Sequence, residues 1–155
     1  NKGEFESRFE KFKCAMNLYA KTGRGLVVSF YTVDFIEQLK YQNDQATDQL
    51  LQALAQELVD IRLPEEDQFY LGNGTFVVMS PIYQSGDSLE FIQELNKITK
   101  IQFSLFPFKN AERSQNTIIR FGEIVIEGST ELTAEQVISR VQRRSEADLT
   151  DEYIL

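Results

Sequence analysis

The sequence predicts a mixed α/β sandwich, a largely antiparallel central sheet flanked by helices. Three observations lead there. "LVVSFYTV", Leu26 to Val33, and "TIIRFGEIVIEG" are β-branched and aromatic runs of the kind that form buried strands. "FYLGNGTFVVM", Phe69 to Met79, sets two apolar runs around Gly72-Asn73-Gly74, a β-hairpin whose turn residues tolerate positive φ. "TDQLLQALAQELVDI" carries Leu50, Leu51, Leu54, Leu58 and Ile61 on one helical face.

In chain order, Phe5, Phe9, Phe12, Met16 and Tyr19 recur at alternating steps of four and three, which predicts a helix closed by Thr22-Gly23-Arg24-Gly25. This spacing suits core packing and is also a heptad that can form a dimer seam. The strand Leu26 to Val33 follows. "DFIEQLKYQND" predicts a short helix with Asp34 as N-cap. The leucine-rich helix starts at Thr47 or Asp48 and is ended by Pro64. The hairpin strands span about Asp67–Leu71 and Thr75–Ser80. Ser85-Gly86-Asp87 introduces the helix "SLEFIQELNKITK". Ile101 to Phe108 reads as a short strand and "KNAERSQN" as a polar loop. "TIIRFGEIVIEG" is a long strand with Gly122 inside it. Thr133 and Gln136 stand at capping-box spacing at the start of "TAEQVISRVQRR". Arg140, Arg143 and Arg144 suit a solvated helix end that complements its dipole. The acidic tail "SEADLTDEYIL" has no clear pattern.

Composition excludes several function classes. At 155 residues the chain predicts one domain with a sizeable core. Its net charge of −8 repels phosphate backbones and argues against nucleic-acid binding. Cys14 is the only cysteine, so no internal disulfide and no thiolate cluster can form. The absence of histidine removes the commonest general base and transition-metal ligand. No apolar run approaches the roughly 18 residues of a membrane span, and no signal-peptide pattern opens the chain. The sequon Asn73-Gly74-Thr75 stands alone as a hint of secretion. The expected location is cytoplasmic, either free or as the cytoplasmic part of a membrane-anchored protein. The start at Asn1 suggests a piece of a longer, multidomain chain.

Taken together, the segments resemble a GGDEF domain, the catalytic fold of diguanylate cyclases. "NKGEF" resembles the end of the family's D-x-L-T-x-L-x-N-R-x-x-F opening motif. "LVVSFY" sits where its first strand leads into D-x-D-x-F-K, with Phe35 on that Phe. "DQLLQALAQEL" resembles the helix G-D-x-x-L-x-x-x-A-x-x-L. The spacing from Ala55 to Gly72 suits the family without a gap, and "GNGTF", Gly72 to Phe76, falls on G-G-D-E-F. "IIRFGEI" resembles the later V-S-I-G-I-A strand. The resemblance covers residues 1–155 and implies a nucleotide-cyclase-like palm.

The resemblance also implies what is missing. Such a cyclase holds two divalent cations on carboxylates beside a nucleoside triphosphate. Its first-strand metal Asp corresponds here to Tyr31, and the signature's Asp and Glu to Gly74 and Thr75. The guanine-reading Asn corresponds to Leu39; the second guanine-side acid persists as Asp48, which suits a helix N-cap equally well. The catalytic and metal positions are therefore expected to be vacant, with no cofactor. The implied function is a degenerate domain, without diguanylate cyclase activity, that regulates or contacts other proteins in cyclic-di-GMP-related signalling. Expected partners are other domains of the parent protein, a separate protein, or a second copy.

Two alternatives follow. Many GGDEF domains carry an R-x-x-D product site upstream of the signature; here a one-residue shift would make Arg62 with Glu66 or Asp67 a clamp for cyclic di-GMP. The domain would then be a receptor controlling exopolysaccharide or biofilm output. The second alternative is a weak NTP-processing enzyme with an unusual metal site, for which Asp48 and Glu37 are the residues to test; Asp34 is three residues past the ligand position and suits a helix cap.

Overall fold

The computed structural model describes residues 2–82, 88–111, 113–127, 132–147 and 151–154. Ser85-Gly86-Asp87 and the side chains of Phe5, Phe9 and Arg144 lie outside the described residues. The elements are α1 (Lys2–Thr22), β1 (Gly25–Val33), α2 (Ile36–Gln42), α3 (Asp44–Ile61), β2 (Asp67–Gly72), β3 (Thr75–Ile82), α4 (Ser88–Ser104), β4 (Pro107–Asn110), β5 (Arg113–Asn116), β6 (Ile119–Ile126), α5 (Ala134–Ala147) and β7 (Asp151–Ile154).

Five strands form one sheet in the order β2-β3-β1-β6-β7. All neighbours are antiparallel except β6 and β7, which run parallel. Period-two alternation sends the strand side chains into two apolar layers. On one face, Tyr31, Val33, Phe76, Val78 and Phe121 pack under Leu50, Leu54 and Leu58 of α3 and Phe103 of α4. On the other, Val28, Phe30, Val77, Met79 and Ile124 pack under Phe12 and Met16 of α1 and Val137 of α5. Phe12 meets Phe69 edge-on at 5.5 Å between centroids, so the described part of the α1 stripe lies in the core.

The hairpin forms as its sequence predicts. Gly72 pairs with Thr75, leaving Asn73 (φ 51°) and Gly74 (φ 78°) as the two central turn residues. The capping box of α5 also forms: Thr133 Oγ1 accepts from the Gln136 N–H at 3.1 Å, and Gln136 Oε1 accepts from the Thr133 N–H at 2.9 Å.

Several boundaries differ. Helix α3 begins a turn before Thr47, because Asn43 is extended and its Oδ1 accepts the Ala46 N–H at 2.9 Å. Thr47 and Asp48 are therefore inside the helix, where Thr47 Oγ1 bonds back to the Asn43 carbonyl at 2.9 Å. Asp34 does not cap α2; Phe35 occupies the N-cap in the left-handed region. Residues 101–104 continue α4, because Ile92, Asn96, Thr99 and Phe103 share its inward face. The short strand begins at Pro107, and the expected polar loop is instead the β4–β5 ribbon. The tail supplies edge strand β7.

Candidate functional site

Strand register brings Tyr31, Gly74 and Thr75, the positions that the resemblance aligns with metal ligands, to one end of the sheet. Tyr31 lies opposite Phe76, and Thr32 opposite Thr75, at the end of β3 where the hairpin turns. The turn is tied down there: the Gly74 carbonyl accepts the Val33 N–H at 2.9 Å, and its own N–H donates to the Tyr70 hydroxyl at 3.0 Å. The Thr75 and Thr32 hydroxyls pair at 3.1 Å. A β-carbon at Gly74 would lie 3.2 Å from Ile36 Cγ1, so even a small side chain there would crowd the start of α2.

Tyr31 is completely buried. Its ring lies between Phe103 and Phe121, at 5.4 Å and 5.2 Å between centroids. Its hydroxyl donates to Asn96 Oδ1 at 2.9 Å and accepts from Arg62 Nη1 at 3.2 Å. Burial pushes this phenol well above its ordinary range, against the opposing pull of the Arg62 charge.

Arg62 organises the polar centre beneath α3 and α4. It follows the last turn of α3 as C-cap, with its N–H bonded to the Leu58 carbonyl. The extended backbone at this residue (φ −94°, ψ 163°) accompanies a side chain directed inward. The guanidinium grips Glu66 bidentately, Nε to Oε1 at 3.0 Å and Nη2 to Oε2 at 2.5 Å, with both side chains fully buried. Nη1 also reaches Asn96 Oδ1 at 2.8 Å and Thr99 Oγ1 at 3.1 Å. Glu66 accepts a short hydrogen bond from Ser80 and a second from the Leu63 N–H at 2.8 Å. Asn96 Nδ2 donates to Ser29 Oγ at 2.7 Å and to Glu123 Oε1 at 3.1 Å; Gln93 donates to Glu123 Oε2 at 2.7 Å. The result is a bonded polar layer spanning β1, β3, β6 and α4.

Arg62, Glu66 and Asp67, the residues of the expected clamp, lie in different environments. Arg62 and Glu66 do pair, but with each other and inside the domain, so neither offers a free hydrogen-bonding edge to a ligand at the surface. Asp67 is exposed on β2 and accepts from the Tyr19 hydroxyl at 3.3 Å. Asp48 is exposed on α3, whereas Leu39 is buried in the apolar layer. Asp34 accepts from the Phe35 N–H at 3.0 Å and pairs with Arg120 Nε at 3.2 Å. Among the described residues, no three His, Cys, Asp or Glu side chains converge as a metal cradle.

Tyr31, Gly74 and Thr75 offer as donors a phenol, a hydrogen atom and a hydroxyl. Hard divalent ions need anionic oxygens to offset their charge, so these residues do not fit the two-cation centre that the resemblance implies. Ser29, Ser80, Glu123, Asn96 and Thr99 were not foreseen as a group. Their signal was present: Ser29, Ser80 and Glu123 each interrupt an apolar strand run, and Asn96 and Thr99 fall on the inward face of α4.

No family model matches the chain, and no curated protein matches it. Its fold is similar to that of solved GGDEF domains. A sensory box/GGDEF family protein from Caulobacter crescentus superposes with a TM-score of 0.70 at 18% identity, covering 92% of this chain and 90% of that one. The FimX GGDEF domain from Pseudomonas aeruginosa gives 0.70 at 15% identity, over 94% and 90%. The GGDEF domain of DgcB from Caulobacter crescentus, solved in complex with c-di-GMP, gives 0.70 at 11% identity, over 93% and 86%. The chain thus has a GGDEF-like α+β fold.

Proposed function

We propose that this chain is a catalytically inactive GGDEF-type domain that acts as a regulatory or protein-interaction module in bacterial cyclic-di-GMP-related signalling. Residues 1–155 form one such domain within a larger protein, on this reading.

The observation that carries it is the environment of Tyr31. The position that would supply a metal carboxylate is filled by a buried aromatic ring whose hydroxyl is spent on Asn96 and Arg62. A carboxylate there would lie in the same interior as Glu66 and Glu123, with Arg62 already paired bidentately. The substitution is thus built into the packing of the domain. The fold tolerates it because stability rests on the apolar layers: each fully buried large apolar side chain contributes roughly 1.5–3 kcal/mol, against about 0.5–1.5 kcal/mol for a typical hydrogen bond.

The test is incubation with GTP and, separately, ATP in the presence of Mg²⁺ or Mn²⁺, followed by chromatography of the nucleotides. No cyclic product and no triphosphate consumption is expected. Turnover that disappears on Asp48→Ala or Glu37→Ala would overturn the reading. Calorimetry with cyclic di-GMP addresses the receptor alternative, for which no heat is expected at tens of micromolar ligand because the Arg62–Glu66 pair is internal; saturable binding would replace the interaction reading with the receptor one.

A further inference from the structure

We propose that Asn73, at the tip of the β2–β3 hairpin, is a site of spontaneous deamidation, and that the Tyr70 hydroxyl latches the turn against it. The reaction needs only water and is separate from any nucleotide chemistry of the domain.

Of the chain's asparagines, only Asn73 precedes a glycine. Glycine has no β-carbon, so the backbone nitrogen after Asn73 is unshielded. Asn73 is exposed, with φ 51°, so water and solvent base reach it. In the reaction, the Gly74 nitrogen gives its proton to solvent base and attacks the Asn73 side-chain carbonyl carbon. A carbon–nitrogen bond forms, the bond to the side-chain nitrogen breaks, and that nitrogen leaves as ammonia with a proton from water. Water then opens the resulting five-membered succinimide at one of its two carbonyls. One opening gives aspartate; the other gives isoaspartate, with an extra carbon in the main chain. The balance is amide plus water to carboxyl plus ammonia, with no oxidant, reductant or cofactor.

The folded turn withholds the attacking nitrogen. The Gly74 N–H donates to the Tyr70 hydroxyl at 3.0 Å and the Gly74 carbonyl accepts from the Val33 N–H at 2.9 Å, so the residue is held on both sides. Donation to Tyr70 disfavours loss of the proton, and ring closure requires the Asn73–Gly74 unit to rotate out of the turn. Ile36 Cγ1, 3.2 Å from the place of a Gly74 β-carbon, leaves little room for that rotation. Tyr70 is itself fixed, its ring packing on Phe76 at 4.9 Å between centroids. The reaction therefore proceeds through an opened hairpin tip. Opening and closing are much faster than the chemistry, so the rate follows the population of the open form. The product places a negative charge on an uncharged tip. Aspartate tolerates the left-handed backbone there, whereas isoaspartate lengthens the two-residue loop that sets the Gly72–Thr75 pairing. The tip is thus a slow, one-way switch from an uncharged to an anionic surface.

The test incubates the full chain in neutral buffer and in concentrated urea and reads the peptide containing Asn73 by mass spectrometry. Deamidation at Asn73 is expected in both, at least about tenfold slower in the folded chain, because both Gly74 hydrogen bonds must open. Asn73→Gln, which cannot close a five-membered ring, should remove the mass change from that peptide. Tyr70→Phe keeps the ring on Phe76 and should react roughly two- to tenfold faster when folded, with an unchanged rate in urea. In the wild-type chain, protection of the Gly74 amide from hydrogen exchange should match the ratio of the unfolded to the folded rate, which tests the latch without any substitution. Equal rates in buffer and urea, no reaction at Asn73 in urea, an unaltered folded rate in Tyr70→Phe, or an unprotected Gly74 amide would each overturn the proposal.

Discussion

The Arg62 guanidinium donates to the Tyr31 hydroxyl at 3.2 Å inside the domain, joining the residue that ends α3 to the central strand. Neither group is conventional core material. The pairing keeps a charged side chain and a phenol buried together, and it makes the polar layer sensitive to the loss of any one member.

Removing one half of the Arg62–Glu66 pair strands a charge in the interior. Arg62→Ala or Glu66→Ala should cost about 3–5 kcal/mol, read as a shift of the urea midpoint at constant slope. The double variant Arg62→Met, Glu66→Leu should be much milder than either single change. An Arg62→Ala chain within about 1 kcal/mol of wild type would refute the internal role.

Alkaline stability should depend on Tyr31. Its folded pKa is raised by burial, so the neutral phenol is the form the fold holds. The folded state retains the proton at pH values where the unfolded chain releases it. This contribution is therefore fully present below the unfolded value near pH 10 and is lost as pH rises beyond it. Tyr31→Phe should cost about 1 kcal/mol near neutral pH. It should also show a smaller loss of unfolding free energy between about pH 8 and 11 than wild type, because its own titration is gone. Parallel slopes in the two chains would contradict the burial of a protonated phenol.

The hairpin tip should resist side chains. At Gly74 positive φ combines with a β-carbon contact of 3.2 Å to Ile36 and 3.3 Å to the Val33 carbonyl. Gly74→Ala should cost roughly 1–3 kcal/mol. At Gly23 φ is also positive, but a β-carbon would meet nothing within 4 Å, so Gly23→Ala should cost less. Equal losses in thermal unfolding would show that backbone conformation alone governs both glycines.

Asn43 and Asp48 provide a direct test of where α3 begins. Asn43 accepts from the Ala46 N–H and donates to Asn110 Oδ1 at 2.8 Å, so Asn43→Ala should cost about 1–2 kcal/mol. Asp48→Ala should stay within about 0.5 kcal/mol, since Asp48 is exposed within the helix. The reverse order in chemical denaturation would restore Asp48 as the cap.

Local pattern was sufficient for most of the architecture. The leucine spacing of α3, the β-branched runs of β1 and β6, the Asn73-Gly74 turn and the Thr133–Gln136 box each encode their element within a few residues. Periodicity and turn chemistry are properties of neighbouring positions, so they are legible in one dimension. The error at α3 was also local: Asn43, Thr47 and Asp48 are all good capping types, and only the extended backbone at Asn43 separates them. The strand order at the sheet edge was less accessible, because β7 pairs with β6 across the whole of α5.

By itself the sequence determined that Tyr31 stands in the first strand, that Gly74 and Thr75 stand at the hairpin tip, and that Arg62 and Glu66 stand four apart after a helix. It could not determine which way Arg62 points. The tertiary structure decided that, turning the guanidinium inward to Glu66, Tyr31, Asn96 and Thr99 and leaving Asp67 and Asp48 outside. The physical reason is that a charged side chain is stable in the interior only where its partners converge. Those partners come from β1, α4 and the segment before β2, which meet only when the sheet and its helices have assembled.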